Sequence, residues 1–215
     1  MKQNSISKFS IIYLVICLAN IIVLYQWSSY KMVVKPMIVL SLLGYYILKS
    51  QKQDVLMLLA LVFALFGDIF LLFENDQFFI FGLGSFLIMQ LLYTTLFIKD
   101  IKIHILSAFL STIILGILVV SVFLYLYDGL GDLKIPVIVY MVAISAMVWT
   151  SLQREKSLNG HMYVLVGAMF FLASDALLAI AKFNGEWWGS NAMVMITYMA
   201  AQFAIVKGMI MKWNV

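Results

Sequence analysis

Two aspartates stand where carboxylates are costly. Asp68 lies in ALFGDIFLLF and Asp175 in FLASDALLAI, each inside an apolar run of the length that crosses hydrocarbon. A carboxylate within a membrane helix costs at least about 2.5–3.5 kcal/mol on insertion scales, so it is normally turned toward a bundle interior or a wet cavity with a partner. Two carboxyls in different surroundings can divide acid and base roles, one giving a proton while the other stays ionised. Intramembrane carboxyls also serve as proton relays, so transport chemistry is open at this point.

Other polar residues fall on helices that pass near the same level. Lys35 opens the second apolar run and can reach a carboxylate or a lipid phosphate while its stem stays in hydrocarbon. Lys182 is seven residues after Asp175 and shares its helical face. Gln90, Tyr93, Tyr140, Thr197, Tyr198 and Gln202 each suit hydrogen bonding between helices; beside two buried acids they mark out a polar pocket. His104 and His161 sit beside charged loops, too few and too far apart for a three-histidine zinc site, and no cofactor is expected. The one cysteine, Cys17, excludes a disulfide framework.

These residues must be positioned by membrane helices. Of 215 residues 65% are hydrophobic and 11% charged, against about 25% charged in an ordinary soluble domain. Eight helices are expected, over about 9–27, 32–48, 55–73, 77–98, 103–126, 135–151, 161–181 and 191–211. Short loops leave no room for a soluble domain, and residues 1–215 are read as one transmembrane domain, an all-α bundle. Lys2 and Lys8 precede the first run as in a secretory signal, but no small-residue cleavage site follows, so it is read as a retained helix. Tyr25, Trp27, Tyr30, Trp149, Trp187, Trp188 and Trp213 lie near span ends and suit interfacial anchoring.

Alternation of eight spans puts Lys2, Lys8, Lys49, Lys52, Lys99, Lys102, Arg154, Lys156, Lys207 and Lys212 on one side, with Lys31, Lys35, Lys134 and Lys182 on the other. That asymmetry places both termini in the cytoplasm. The basic residues are scattered over short loops and form no face for nucleic acid, despite the net charge of +4. Asp68 is expected about five residues before the outer end of its helix and Asp175 about six to eight before its own, at similar depth. The acids are separated by half the chain, each follows a small residue, and Pro36 and Pro136 are both expected in the first turn of their helices. This suggests a parallel pseudo-repeat of four helices plus four.

The ordered set of motifs resembles the YhhN family of integral membrane proteins, whose characterised members are lysoplasmalogenases. The matching segments are Lys35-Pro36, Gly67-Asp68-Ile-Phe-Leu71, GLGSFLIMQLLYTTLF from Gly82 to Phe97, Gly167 to Ala179 around Ser174-Asp175, and Tyr198-Met-Ala-Ala201-Gln202 ending near Gly208. Position 90 departs from the family, which often has histidine where this chain has glutamine. Glutamine positions groups by hydrogen bonds but exchanges no proton near neutral pH.

The resemblance implies hydrolysis of the vinyl ether of a lysoplasmalogen to a fatty aldehyde and a glycerophospho-ethanolamine or -choline. For that chemistry Asp68 and Asp175 are expected to be the catalytic pair, with Lys35, Gln90, Tyr93, Tyr140, Tyr198 and Gln202 as the substrate-binding groups. Lysophospholipid and membrane lipids are the expected partners, and a bacterial inner membrane is the expected location. A proton-coupled transporter and a noncatalytic lipid-binding protein are the alternatives that the same two acids allow.

Overall fold

A computed structural model describes residues 3–26, 30–73 and 75–214. Lys2, Trp27 and Glu74, which carry part of the charge and aromatic pattern, lie outside the described residues. Among the described residues the regular elements are helical: α1 (Gln3–Gln26), α2 (Lys31–Lys49), α3 (Val55–Phe70), α4 (Asp76–Ile98), α5 (Ile105–Leu126), α6 (Lys134–Gln153), α7 (His161–Asn184) and α8 (Ser190–Trp213), with a 3₁₀ turn at Gly131–Leu133. Among the described residues seven helices are long and apolar enough to cross a membrane; α3 is shorter.

The starts of α3 and α4 follow from side-chain caps. Asp54 accepts from the Leu56 amide at 3.0 Å and Asn75 from the Gln77 amide at 2.8 Å, each satisfying an amide without a helical partner. The expected end of α3 at residue 73 needs correction. After Phe70 the backbone tightens into turns, with Leu72 N–H bonded to Ile69 O and Phe73 N–H to Phe70 O. Leu71 is held over Gly82, where an added Cβ would stand 2.8 Å from Leu71 Cδ2, and the chain reverses there into α4. Asp68 therefore sits two residues from the end of α3, not five, while Asp175 is nine from the end of α7, not six to eight. Measured from the opposite ends the acids stand level, thirteen residues after Val55 and fourteen after His161.

Pro36 also departs from expectation: it is the sixth residue of α2, past the first turn, so its missing N–H removes a helical hydrogen bond to the carbonyl of Met32. Pro136, third in α6, falls where no such bond is lost.

Glycines bring two helix pairs close together. A Cβ at Gly67 would lie 2.7 Å from the Phe86 ring, fixing α3 on α4. Cβ atoms at Gly167 and Gly208 would lie 2.8 Å from the Ala201 and Gly160 carbonyl oxygens, fixing α7 on α8. At Gly160 the positive φ of 79° and the nearby Gly208 carbonyl both exclude a side chain. Small residues of this kind allow membrane helices to approach through their backbones. The two tight pairs stay apart from each other at the backbone: among the described residues no α-carbon of α3 or α4 comes within 8 Å of one in α7 or α8. Side-chain hydrogen bonds bridge the space between.

Around this centre the helices grade outward. In α8 and α4, 61% and 50% of the membrane-length segment is buried, against 17% in α1 and 11% in α5. The outward faces of α1 and α5 carry exposed Ile11, Leu14, Leu110 and Ile117, as lipid contact requires. The end of the bundle that holds Asp54, Asp100 and Lys212 is tied by ions. The Asp100 carboxylate accepts from Arg154 at 2.9 Å and from Lys212 at 2.6 Å, with the Arg154 side chain fully buried. Lys99 pairs with Asp54 and Lys102 with Glu155, each at 3.1 Å. The Lys102 ammonium holds the Glu155 carboxyl below the usual range.

Candidate active site

At the other end of the bundle a polar cavity of about 440 Å³ opens among α1, α2, α3, α4, α7 and α8, and both Asp68 and Asp175 line it. Lys35 projects into the same space from α2 and forms no ion pair among the described residues. Lys182 also borders the cavity but is paired with Asp76 at 3.0 Å and lies over the Phe79 ring. The two acids are not hydrogen-bonded to each other; each is held by donors from elsewhere in the chain.

The donors cross the gap between the tight pairs. Tyr198 on α8 donates its Oη–H to Asp68 Oδ2 on α3 at 2.9 Å, and Asp68 is only 1% exposed. Gln90 on α4 donates from Nε2 to Asp175 Oδ2 on α7 at 2.9 Å, and Tyr140 on α6 donates to the same oxygen at 2.6 Å. The amide orientation of Gln90 is dictated by this carboxylate, and it leaves Gln90 Oε1 buried without a partner among the described residues. Because both donors converge on Oδ2, Oδ1 of Asp175 accepts no hydrogen bond from the described residues.

Tyr93 and Gln202 are placed differently. Tyr93 donates to Gln202 Oε1 at 3.0 Å, and Gln202 Nε2 donates to Met89 Sδ at 3.4 Å. Both side chains are fully buried and neither borders the cavity. They form a second bridge between α4 and α8, which the sequence could not distinguish from the groups around the acids. Thr197 bonds to the carbonyls of Met193 and Val194 on its own helix. His104 precedes α5 and His161 begins α7, at the ion-tied end. Trp187 and Trp188 lie between α7 and α8, with Trp188 exposed.

Asn20 joins the site although sequence reasoning missed it. Its signal was that of a lone amide in the apolar run of α1; it is buried and lines the cavity with Ser174 and Asn191. Ser174, the small residue before Asp175, donates to the Val194 carbonyl at 3.0 Å and so binds α7 to α8 beside the acid.

A second opening adjoins the first. A narrow apolar crevice of about 60 Å³ runs among α4, α5, α6 and α7. It shares Leu71, Phe79, Phe86, Asp175 and Leu178 with the polar cavity. Asp175 borders both spaces, whereas Asp68 borders only the polar one. Phe86, edge-on to Phe171 and Tyr198, stands between the acids' surroundings as a common wall.

The profile of the YhhN family matches residues 30–209, which takes in every side chain that holds either acid. Over 152 residues the chain is 28% identical to the lysoplasmalogenase TMEM86A of Bos taurus, covering 67% of this chain and 61% of that protein. It is 31% identical over 137 residues to the lysoplasmalogenase of Mycobacterium bovis, covering 60% of this chain and 50% of that one. The alignments thus span about half to three-fifths of the length of these curated relatives. No solved structure matches.

Proposed function

The chain belongs to the YhhN family, and from that premise we propose that it is a multi-pass membrane hydrolase of the lysoplasmalogenase kind, opening the vinyl ether of a lysoplasmalogen. The observation that carries the reading is the convergence of Asp68 and Asp175 on one cavity with an uncommitted lysine, Lys35, at its side. Identity to the lysoplasmalogenases supports the substrate class.

The chemistry needs an acid, an anion and water. A carboxyl proton adds to the alkenyl carbon remote from oxygen, the π pair forming the new C–H bond, and positive charge is left shared between the other carbon and the ether oxygen. The second carboxylate stabilises that cation electrostatically in a site of low dielectric. Water attacks the cationic carbon and gives up a proton to a carboxylate. The resulting hemiacetal breaks its bond to the glycerol oxygen, releasing a fatty aldehyde and a free hydroxyl. One water is consumed and the two carboxyls return to their starting protonation. Lys35 holds the lipid phosphate as a charge-assisted partner. Tyr198 orients Asp68, and Tyr140 with Gln90 orients Asp175.

With both termini in the cytoplasm, as the lysine and arginine asymmetry favours, the cavity faces the outer leaflet of the membrane. The cross-bonding also favours a four-plus-four repeat: the acid of the third helix in one half is met from the fourth helix of the other, Asp68 from α8 and Asp175 from α4. Purified protein in detergent, given alkenyl, alkyl and acyl lysophospholipids, is expected to release aldehyde from the alkenyl lipid alone. Binding of all three without aldehyde would overturn the hydrolase reading.

A further inference from the structure

The helices joined by the Lys99–His104 loop part from each other. Every other consecutive pair of long helices packs side by side, but among the described residues the backbones of α4 and α5 nowhere approach within 8 Å. The apolar crevice lies in the space that α5 leaves by standing off α4, with Leu118 and Val119 of α5 facing Ala176 and Ala179 of α7. Its polar groups gather around Tyr140, Ser145 and Asp175, and the rest of its wall is aliphatic or aromatic. It adjoins the polar cavity at Asp175, and the two spaces share five lining residues.

A space that is polar on one side of a carboxyl and apolar on the other matches an amphiphile whose polar and apolar parts meet at that carboxyl. We infer that the crevice between α5 and α7 is the subsite for the single hydrocarbon chain of a lysolipid, with the head group in the polar cavity and the first carbons of the chain beside Asp175. The inference rests on the lipid reading of the same site and adds which part of the molecule lies where. The crevice is the smaller of the two spaces, about 60 Å³ against about 440 Å³ for the cavity, so the head group goes to the larger and the apolar walls of the smaller are left to hydrocarbon. The chain's attachment point then falls at Asp175, the acid that borders both spaces, and away from Asp68. Oδ1 of Asp175, without a donor among the described residues, is the atom turned to that linkage.

The test separates occupancy from reaction. An alkyl-ether lysophosphatidylethanolamine carrying a diazirine within the first few carbons of its chain is photolysed with the protein in nanodiscs, and labelled peptides are mapped. Label is expected on the α5 segment around Leu118 and Val119 and on α7 around Ala176 and Ala179, and excess unlabelled alkyl lysolipid is expected to remove it. Label that resists competition, or that matches the pattern of a diacyl lipid bearing the same group, shows bulk lipid contact and overturns the subsite. In kinetics, Val119→Trp and Ala179→Phe are expected to lower kcat/KM about tenfold for a long-chain alkenyl lysolipid, with little effect on a short-chain one. Equal losses for both chain lengths, or none, overturn it as well. The ether probe contains no vinyl ether, so failure to release aldehyde in the hydrolysis assay sinks the proposed reaction without touching the labelling result.

Discussion

Removal of the Tyr140 hydroxyl is the sharpest test of how Asp175 works. When a carboxyl gives up its proton it becomes an anion, and two donors already point at one of its oxygens: Tyr140 Oη–H at 2.6 Å and Gln90 Nε2–H at 2.9 Å. A hydrogen bond to a charged group contributes about 1.5–3 kcal/mol net. If that contribution is made in the transition state, Tyr140→Phe lowers kcat by about 10- to 150-fold, since each ~1.36 kcal/mol is a factor of ten. The ring stays in place, so thermal unfolding in detergent is expected to move little. Gln90→Leu removes the second donor and with it a buried carbonyl that has no partner among the described residues, which offsets part of the stability loss. Because both donors share one acceptor, the double variant departs from additivity. The assay is aldehyde release from alkenyl lysophosphatidylethanolamine under saturating substrate. Activities within about twofold of the unsubstituted protein for both single variants would refute the role given to Asp175.

Other perturbations read other parts of the molecule. Asp68→Asn and Asp175→Asn are each expected to cost about 10²- to 10⁴-fold in turnover while lysolipid binding persists; near-normal turnover in both removes the mechanism. Lys35→Ala is expected to raise KM for a phosphate-bearing substrate about tenfold, equivalent to ~1.4 kcal/mol, and to leave an alkenylglycerol without phosphate unaffected. Asp100→Asn leaves the buried Arg154 and Lys212 without their anion and is expected to cost about 3–5 kcal/mol, seen as a fall in Tm, with the residual activity of the folded fraction unchanged.

The helices were legible because hydrocarbon imposes length and apolarity on each one. The expected 77–98 and 135–151 fall close to Asp76–Ile98 and Lys134–Gln153. The end of α3 was not legible, because Leu71, Leu72 and Phe73 are as apolar as the helix before them and only their packing over Gly82 turns the chain. The importance of the two acids was plain from their cost in a membrane. Their partners were not: Tyr198 and Tyr93 are both tyrosines in apolar helices, yet one bonds to Asp68 and the other to Gln202. Pairing across more than a hundred residues leaves no local mark in either segment. Gly67, Gly82, Gly167 and Gly208 stood out in the family motifs, but that they allow close helix approach required the neighbouring atoms.

The short third helix has a consequence for biosynthesis. At about 1.5 Å per residue its 16 residues span about 24 Å, less than the roughly 30 Å of a bilayer's oily interior. Its carboxyl finds its tyrosine 130 residues later, on α8. At about 5–20 residues per second that wait is roughly 7 to 26 s. During it the nascent segment has neither the length nor the partner to settle alone, and shelter from the translocon or from the glycine-packed α4 has to bridge the interval.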